Sequence, residues 1–319
     1  MNEFQLIKKY FLQLTKNNKS SLNLNDDVFF DKSKNLAISI DTYNEGVHFI
    51  DFKKPNLVIK KIIRSSISDL ICKGVLPKYY FISGSGNNKC FTSSNLKKIS
   101  KSLEQEQKKY NISLCGGDTV FSKKLSFTIV SLGFSKNIIF RNKAKLNDDI
   151  YVTGNLGDSF TGLEILRKKY DVDSNLKRYF ENKYYQPTLN LYLAKKLSLF
   201  ANTSIDVSDG LIEDLNKLIN KQSLSYKLKL DNIPISKNLK KFLIKKKLSK
   251  KSFISQGDDY QILFTADSSK FKVISKIAQS SGIKISKIGK ITSNRNKSQI
   301  LDQKGKKIAI KEKGYLHKF

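Results

Sequence analysis

The chain has 319 residues and a formal net charge of +31, with 59 lysines and arginines against 28 aspartates and glutamates. A hydrophobic fraction of 39% suits a globular protein, and the length allows two domains with separate cores. No apolar run reaches about 18 residues, so no membrane-spanning helix is expected. The three cysteines have neither disulfide-framework nor metal-ligand spacing, and the amphipathic N-terminus lacks signal-peptide order. We expect a cytoplasmic protein.

The positive charge does not by itself predict nucleic-acid binding. Lysine supplies nearly all of it, with only five arginines, and the lysines are spread over the whole chain. Base readout and bidentate phosphate contacts favour arginine, and basic arms are usually blocks. We therefore predict no specific nucleic-acid partner. An RNA-binding module remains the alternative, and its affinity would fall steeply with salt.

The first part of the chain predicts helices and strands with acids at the strand ends. A helix over about 3–15 precedes LNDDVFF, which contains Asp27, and the strand LAISIDT ends at Asp41. The next loop carries His48, which could be structural or functional. Asp69 lies in the apolar helix predicted over 57–74, and it needs a partner such as a metal unless it is solvated beside Lys73.

The motif GGDT follows the predicted strand NISLC at residues 116–119. Two glycines before an acid allow a backbone to approach a bulky ligand closely, although a simple turn would look the same. A strand LSFTIVSLGF and a strand NIIF then lead to Arg141. The polar loop KLNDD places a domain boundary near Lys145, which gives domains over 1–145 and 146–319.

The second half begins with the strand DIYVTG and the turn GNLGDSFTGLEIL. Its glycines predict free amides for phosphate before a helix. It has neither GxGxxG nor GxxxxGK[ST] spacing. Further helices are predicted over about 174–180, 189–200, 237–246 and 268–281. Strands are predicted at YKLKL, after SQGDDY, at KISKIGKI and at KIAI.

The segment IDVSDGLIEDL, residues 205–215, combines a strand, a turn and a helix. The strand ends at Asp206, Ser208 or Asp209 suits the N-cap, and Gly210 allows a tight turn. Two carboxylates at a strand end and a helix start can converge on one point, where magnesium would find oxygen ligands. A capped helix after a strand is the alternative.

Acids of this kind recur along the chain, whereas other catalytic groups do not. No Ser-His-Asp order or activated cysteine accompanies them, and two histidines argue against zinc. Many carboxylates with glycine turns predict several Mg²⁺ ions that hold a nucleotide's phosphates for phosphoryl transfer. The acids are Asp27, Asp41, Asp69, Asp118, Asp206, Asp209, Asp258 and Asp259.

Taken together, these motifs resemble the thiamine-monophosphate kinase family, in the superfamily of aminoimidazole ribonucleotide synthetase and selenophosphate synthetase. EFQLI, NDD, LAISIDT, EGVHF, ISDLICKG, GGDT, DIYVTGNLGDSFTGL, IDVSDGLIEDL, GDDYQILFT and GY occur in family order from residue 3 to 315. The resemblance implies an α/β (α+β) fold of two domains. The N-terminal mixed sheet would pair across a homodimer, and helices would flank the C-terminal sheet. It also implies transfer of the γ-phosphoryl group of ATP to thiamine monophosphate.

The same resemblance implies residue roles. Catalytic positions would be Asp69, Asp206 and Asp209. ATP contacts would be Tyr110, Gly117, Asp118, Arg141 and Ser208. Substrate contacts would be His48, Asp258 and Tyr315. Magnesium contacts would be Asp27, Ile40, Asp41, Asp69, Asp118, Asp206 and Asp209.

Four positions within these motifs depart from the family pattern, and the tail also departs from it, reading HKF instead of HF. Asn25 replaces Gly, Ile40 replaces a hydroxyl residue, and Asp258 and Gln261 replace Glu. A metal contact at Ile40 would come from the backbone or be lost. Two enzyme-related alternatives stay open, a sister synthetase and a non-catalytic nucleotide-binding paralogue. Selenophosphate synthetase needs a reactive cysteine near its N-terminus, and none precedes Cys72. Retention of so many mutually repelling acids argues against an idle site.

Overall fold

Two β-sheets, each built from one continuous part of the chain, organise the fold. The computed structural model describes residues 1–295, 297–309 and 314–315. Within them, the first sheet uses strands between residues 29 and 134 and the second uses strands between 149 and 301. The predicted mixed α/β fold with two sheets is confirmed.

The first sheet is mixed and has five strands. They are β1 (Phe29–Asp31), β2 (Leu36–Asn44), β3 (Leu76–Gly86), β4 (Ser113–Phe121) and β5 (Ser126–Phe134). Their order is β1-β2-β5-β3-β4, and neighbouring strands are antiparallel except for β3 and β4, which run parallel.

The second sheet has six strands within the described residues. They are β6 (Asp149–Thr153), β7 (Thr203–Asp206), β8 (Leu224–Lys229), β9 (Ile262–Ala266), β10 (Ile285–Ser293) and β11 (Gln299–Leu301). Their order is β11-β8-β10-β6-β9-β7, and among them only β11 and β8 pair in parallel. The two strands β6 and β9 are buried along their whole length, as expected where both faces of a sheet are covered.

The predicted helices agree with the structure to within a few residues, except at the N-terminus and in α5, and the short helix α9 was not predicted. The helix predicted over 3–15 is an α-helix only at its start and continues as a π turn, Ile7–Phe11, and a 3₁₀ turn, Leu12–Thr15. The α-helices are α1 (Glu3–Leu6), α2 (Pro55–Cys72), α3 (Ser93–Tyr110), α4 (Asp158–Leu166), α5 (Ser174–Tyr185), α6 (Leu191–Leu197), α7 (Leu211–Leu218), α8 (Lys237–Lys246), α9 (Lys250–Ile254) and α10 (Phe271–Ser281). None of the helices in the described residues is long and apolar enough to cross a membrane.

Helix α2 lies between the two parts of the molecule. It packs on β2 and β5 of the first sheet and on β7, α5 and α6 of the second part. A helix covered on all sides must be apolar all round or must pair its polar groups. Val58 and Ile62 are therefore fully buried, and buried Arg64 makes two hydrogen bonds to the carboxylate of Glu106, at 2.7 and 2.8 Å.

One local alternative, the turn at GGDT, and one local prediction, the strand NIIF, were wrong. The motif at residues 116–119 continues β4 instead of forming a turn, because this segment pairs in parallel with β3 and Gly117 lies opposite Ile82. A side chain at Gly117 would collide with the carbonyl oxygen of Ile82, so the glycine is needed for strand pairing. Residues 137–140 form no strand, and the Ile139 amide instead donates to the Lys73 carbonyl at 3.0 Å.

The start of α7 also differs from the prediction. The N-cap residue is Gly210, with φ of +124°, instead of Ser208 or Asp209. Glycine has no side chain, so the N-cap residue makes no capping hydrogen bond of the usual kind. The buried Asp214 carboxylate accepts the amides of Asp209 and Gly210, at 3.0 and 2.9 Å, from inside the first turn. The predicted strand KIAI ends outside the described residues, and the part that is described makes an isolated bridge from Lys307 to Leu301.

Candidate functional site

Three carboxylates from distant parts of the sequence converge between the two sheets. Oxygen atoms of Asp27, Asp69 and Asp206 all lie within 4.8 Å of one another. Asp27 precedes β1, Asp69 lies on α2 and Asp206 ends β7, so both parts of the chain contribute. Three carboxylates at this spacing form a donor set suited to a hard divalent cation.

Two serines hold these acids in place. Ser39 Oγ donates to Asp69 Oδ2 at 2.5 Å, and Ser68 Oγ donates to Asp206 Oδ2 at 2.7 Å. Sequence reasoning missed both serines. Ser39 precedes Asp41 by two residues on a strand, which places both side chains on one face, and this signal was available in the sequence.

Burial and mutual repulsion raise the pKa of Asp69, of Asp206 and of the nearby Asp41. Burial raises the pKa of Asp69 well above its usual value, and the charges of Asp41 and Asp206 add to this. Burial also raises the pKa of Asp206, against the Ser68 hydrogen bond. The pKa of Asp41 rises to about 7, mainly through burial, although Tyr43 Oη donates to its carboxylate at 3.2 Å. A bound divalent cation would relieve this repulsion, so the donor set fits magnesium.

Asp27 differs from these acids because two basic side chains already pair with it. Arg141 contacts both of its oxygens, with Nε 3.1 Å from Oδ2, and Lys73 Nζ lies 2.7 Å from Oδ2. Its neighbour Asp26 accepts the Arg141 backbone amide at 2.8 Å and lies 2.8 Å from Lys73 Nζ. Arg141, which the resemblance assigned to ATP, thus lies at the edge of the acid cluster.

Asp209 lies at the start of α7, next to the C-terminal segment. Its carboxylate pairs with Lys217, and its carbonyl accepts the Tyr315 amide at 2.9 Å. Burial raises the pKa of the neighbouring Asp214 to about 8. The tail therefore comes back beside one of the predicted metal ligands. The Tyr315 amide binds Asp209, and the Asp258 amide binds the preceding residue, Ser208.

The other two predicted substrate contacts, His48 and Asp258, are both linked to Tyr184, His48 directly and Asp258 through Lys61. Tyr184 Oη donates to the His48 carbonyl at 3.3 Å, and the buried Lys61 lies with Nζ 4.0 Å from the centre of the Tyr184 ring. Lys61 Nζ also donates to Asp258 Oδ2 at 2.5 Å. Sequence reasoning missed Lys61 and Tyr184, although a lysine within the apolar pattern of α2 was a visible signal.

The Ile40 side chain and Asp118 lie on the face of the first sheet that points away from the cluster. The register places Ile40 in a row with Val130, Phe81 and Gly116, on the face of the first sheet opposite Asp41. Asp118 is exposed on this outer face, three strands from β2 or about 14 Å away. The Ile40 side chain is 67% exposed and has no donor atom, so any metal contact there would use its backbone carbonyl.

The remaining predicted nucleotide contacts are Tyr110 and Ser208. Tyr110 is 3% exposed and lies under the Arg64 guanidinium, so its burial argues against stacking on a nucleotide. The carbonyl of Ser208 accepts the Asp258 amide at 2.7 Å, which links the turn before α7 to residues 257–259. The amide of Gly157, predicted to be free for phosphate, instead donates to the Asp259 carboxylate at 2.7 Å.

The geometry has a close counterpart among known proteins. Residues 25–135 match the family model described as AIR synthase related protein, N-terminal domain. The chain is 35% identical to the thiamine-monophosphate kinase of Buchnera aphidicola subsp. Schizaphis graminum over 325 residues, which cover 99% of this chain and 98% of that protein. The chain belongs to the thiamine-monophosphate kinase family.

A second thiamine-monophosphate kinase and one solved structure agree with this family assignment. The thiamine-monophosphate kinase of Haemophilus influenzae is 35% identical over 273 residues, which cover 83% of this chain and 81% of that protein. A structure of AaThiL complexed with AMPPCP and TMP superposes with a TM-score of 0.85 at 26% identity, covering 99% and 97% of the two chains. The predicted family is therefore confirmed over nearly the whole chain.

Proposed function

We propose that this protein is a kinase that transfers the γ-phosphoryl group of ATP to thiamine monophosphate and so forms thiamine diphosphate. The observation that carries the proposal is the acid cluster of Asp27, Asp69 and Asp206 between the two sheets, in a chain whose relatives are named for this reaction. The complex of AaThiL with AMPPCP, an ATP analogue, and TMP supports the same pair of substrates.

The acceptor explains why the site needs charge neutralisation more than a strong base. A phosphate monoester with a second pKa near 6 is already largely dianionic at pH 7, so it can attack without losing a proton to the protein. The obstacle is repulsion between two polyanions. Mg²⁺ ions held by Asp41, Asp69 and Asp206, with Asp27 and Asp209 at the sides, would supply the required positive charge.

The protein's own groups then have separate tasks. Ser39 and Ser68 fix the orientation of the Asp69 and Asp206 carboxylates through their hydrogen bonds. The Arg141 guanidinium pairs with the Asp27 carboxylate. It could release this carboxylate and bind a nucleotide phosphate, which also accepts two hydrogen bonds from a guanidinium. His48, Asp258 and Tyr315 are proposed to contact thiamine monophosphate.

We propose that a second copy of the chain covers the outer face of the first sheet. All nine residues of the edge strand β4 are exposed, and the apolar Ile40, Phe81 and Val120 on this side are 67%, 39% and 47% exposed. An open strand edge beside an exposed apolar face is typical of an interface. Asp118 lies on this face, so a homodimer would bring a partner's surface to it. Sedimentation should give a dimer for the native chain and a monomer for Val120→Asp.

The domain boundary at 145/146 and a cytoplasmic location are also proposed. The boundary is supported by the separation of the two sheets, since β5 ends at Phe134 and β6 begins at Asp149. It predicts that limited proteolysis of the native chain cuts first in the exposed loop 145–147. Cell fractionation would test the location.

The deciding experiment mixes the purified protein with ATP, Mg²⁺ and thiamine monophosphate and follows both products by chromatography. Equimolar ADP and thiamine diphosphate, abolished by a chelator, are expected. ATP binding without any diphosphate would contradict the proposal and would favour a sister synthetase or a silent paralogue.

A further inference from the structure

Lys73, at the C-terminal end of α2, is a fully buried cation beside the acid cluster. Its exposed fraction is 0%, and its ammonium nitrogen lies 2.8 Å from Asp26 Oδ1, 2.7 Å from Asp27 Oδ2 and 2.7 Å from the Ser204 carbonyl oxygen. The ammonium group donates a hydrogen bond to the Ser204 carbonyl and forms ion pairs with both carboxylates. The lysine is therefore held at a fixed place.

The acids around this lysine fall into two classes. Asp26 and Asp27 have cationic partners, Lys73 and Arg141, so two negative charges face two positive ones. Three other acids, among the described residues, accept side-chain hydrogen bonds from hydroxyl groups and have no ion pair. These pairs are Asp41 with Tyr43, Asp69 with Ser39, and Asp206 with Ser68.

We propose that the Lys73 ammonium is a fixed cation that takes the place of one divalent ion at the Asp26–Asp27 side of the cluster. The proposal rests on the proposed magnesium-dependent function. Divalent ions are then left for the hydroxyl-held acids Asp41, Asp69 and Asp206. Lys73 is a positioning residue, because it touches Asp27 and Asp26 and not the reacting groups.

Exchange of this lysine for a metal ion is not expected in the native chain. Displacing the ammonium would move a charge away from three acceptors into the packed surroundings of Cys72 and Val75, which are both fully buried. Burying an unpaired charge in such surroundings is costly. The lysine should therefore remain in place when magnesium and nucleotide bind.

The experiment counts bound Mn²⁺, the probe for the divalent sites, by electron paramagnetic resonance with and without a non-hydrolysable ATP analogue. The variants are Lys73→Gln, which keeps an N–H donor but loses the charge, and Lys73→Arg, which keeps the charge. Lys61→Gln is the matched control, because Lys61 is also buried on α2 but pairs with Asp258, outside the acid cluster. Thermal unfolding is measured in parallel with EDTA and with Mg²⁺.

We expect Lys73→Gln to bind about one further Mn²⁺ per chain, or to bind it roughly tenfold more tightly, because the Asp26–Asp27 side regains its negative charge. Its unfolding temperature should rise more with Mg²⁺ than that of the native chain. Lys73→Arg and Lys61→Gln should keep the native Mn²⁺ count. A Lys73→Gln protein that folds only with Mg²⁺ would also support the proposal.

The proposal is overturned if Lys73→Gln has the native Mn²⁺ count, affinity and Mg²⁺-dependent stabilisation. It is also overturned if this variant fails to fold both in EDTA and in the presence of Mg²⁺, since an ion then cannot replace the ammonium. The Mn²⁺ count needs no turnover. Failure of the proposed kinase activity would therefore appear separately, as loss of product in the native protein with metal binding intact.

Discussion

Ser68 Oγ on α2 donates a 2.7 Å hydrogen bond to Oδ2 of Asp206 at the end of β7. This bond joins the helix that packs on the first sheet to an edge strand of the second. Both residues are buried, with exposed fractions of 2% each. The bond stabilises the charged form of Asp206 against the burial that raises its pKa, and so keeps the carboxylate available as a metal ligand.

Ser68→Ala should weaken metal use without disrupting the fold. Loss of the hydrogen bond raises the pKa of Asp206 further, so a larger fraction is protonated at neutral pH and magnesium binds less well. We expect activity at limiting Mg²⁺ to fall roughly tenfold and to recover at higher Mg²⁺ or higher pH. The measurement is initial rate against Mg²⁺ concentration.

Ser66→Ala is the matched control for this change. Ser66 is buried on the same helix, but its Oγ pairs with Ser131 Oγ at 2.8 Å on β5 and not with an acid. The two variants lose a similar buried hydroxyl. An identical Mg²⁺ dependence in both would contradict the role given to Ser68.

Asp209→Asn should reduce turnover by roughly a hundredfold or more while the protein stays folded. The charge of Asp209 is proposed to serve a metal ion. The paired Lys217 would not be left alone, since its Nζ also lies 3.5 Å from Asp214. Steady-state rates and thermal unfolding are measured together. A variant with native turnover would refute the metal-ligand assignment and leave the Asp209–Lys217 pair as a structural one.

The sequence predicts the acids better than it predicts what surrounds them. Asp206 was recognised as a strand-terminal acid because local patterns of apolar spacing and turn residues locate strand ends. Its contact with Ser68, 138 residues earlier, depends on how α2 packs between the sheets, which no local pattern encodes. Asp118 shows the same limit. Its GGDT motif was compatible with a ligand contact or a turn, but the motif continues β4, and strand pairing places Asp118 on the outer face of the sheet.

Lys61 and Asp258 should show strong coupling in a double-mutant cycle of stability. Their ion pair at 2.5 Å joins α2 to the segment before β9, and the Lys61 side chain is only 2% exposed. Lys61→Met alone and Asp258→Asn alone should each lower the free energy of unfolding by about 3 kcal/mol. Asp258→Asn does so because it leaves the buried Lys61 charge without its ion-pair partner. The double variant should cost less than the sum of the two single variants. Urea unfolding measures all four proteins.

The surface pair Lys53–Asp51, at 3.1 Å, is the control for this cycle. Its lysine side chain is 85% exposed, so solvent screens the interaction and the coupling should be close to zero. Additive costs for Lys61 and Asp258, as at the surface pair, would show that the buried pair does not hold the two segments together.

The metal-free protein should lose stability as the pH rises through the range in which Asp41 ionises. Burial raises the pKa of Asp41 to about 7 in the folded state, whereas an unfolded aspartate has a pKa of about 3.9. Between these two values the folded state holds a proton that the unfolded state lacks. The free energy of unfolding therefore falls with rising pH, by up to about 1.4 kcal/mol per pH unit for this group, and is level above pH 7.

Asp41→Asn tests this contribution, because the amide does not titrate. Urea unfolding in EDTA at about pH 5, 6 and 7 should give a flatter dependence for the variant than for the native chain. Asp31→Asn is the control, since the hydrogen bond from Ser33 lowers the pKa of Asp31 and its ionisation is complete below this range. Saturating Mg²⁺ should remove the difference between native protein and Asp41→Asn in slope, because a bound cation keeps Asp41 ionised at all three pH values. Equal slopes in EDTA would contradict a raised pKa at Asp41 and, with it, the repulsion that makes this cluster a site for divalent ions.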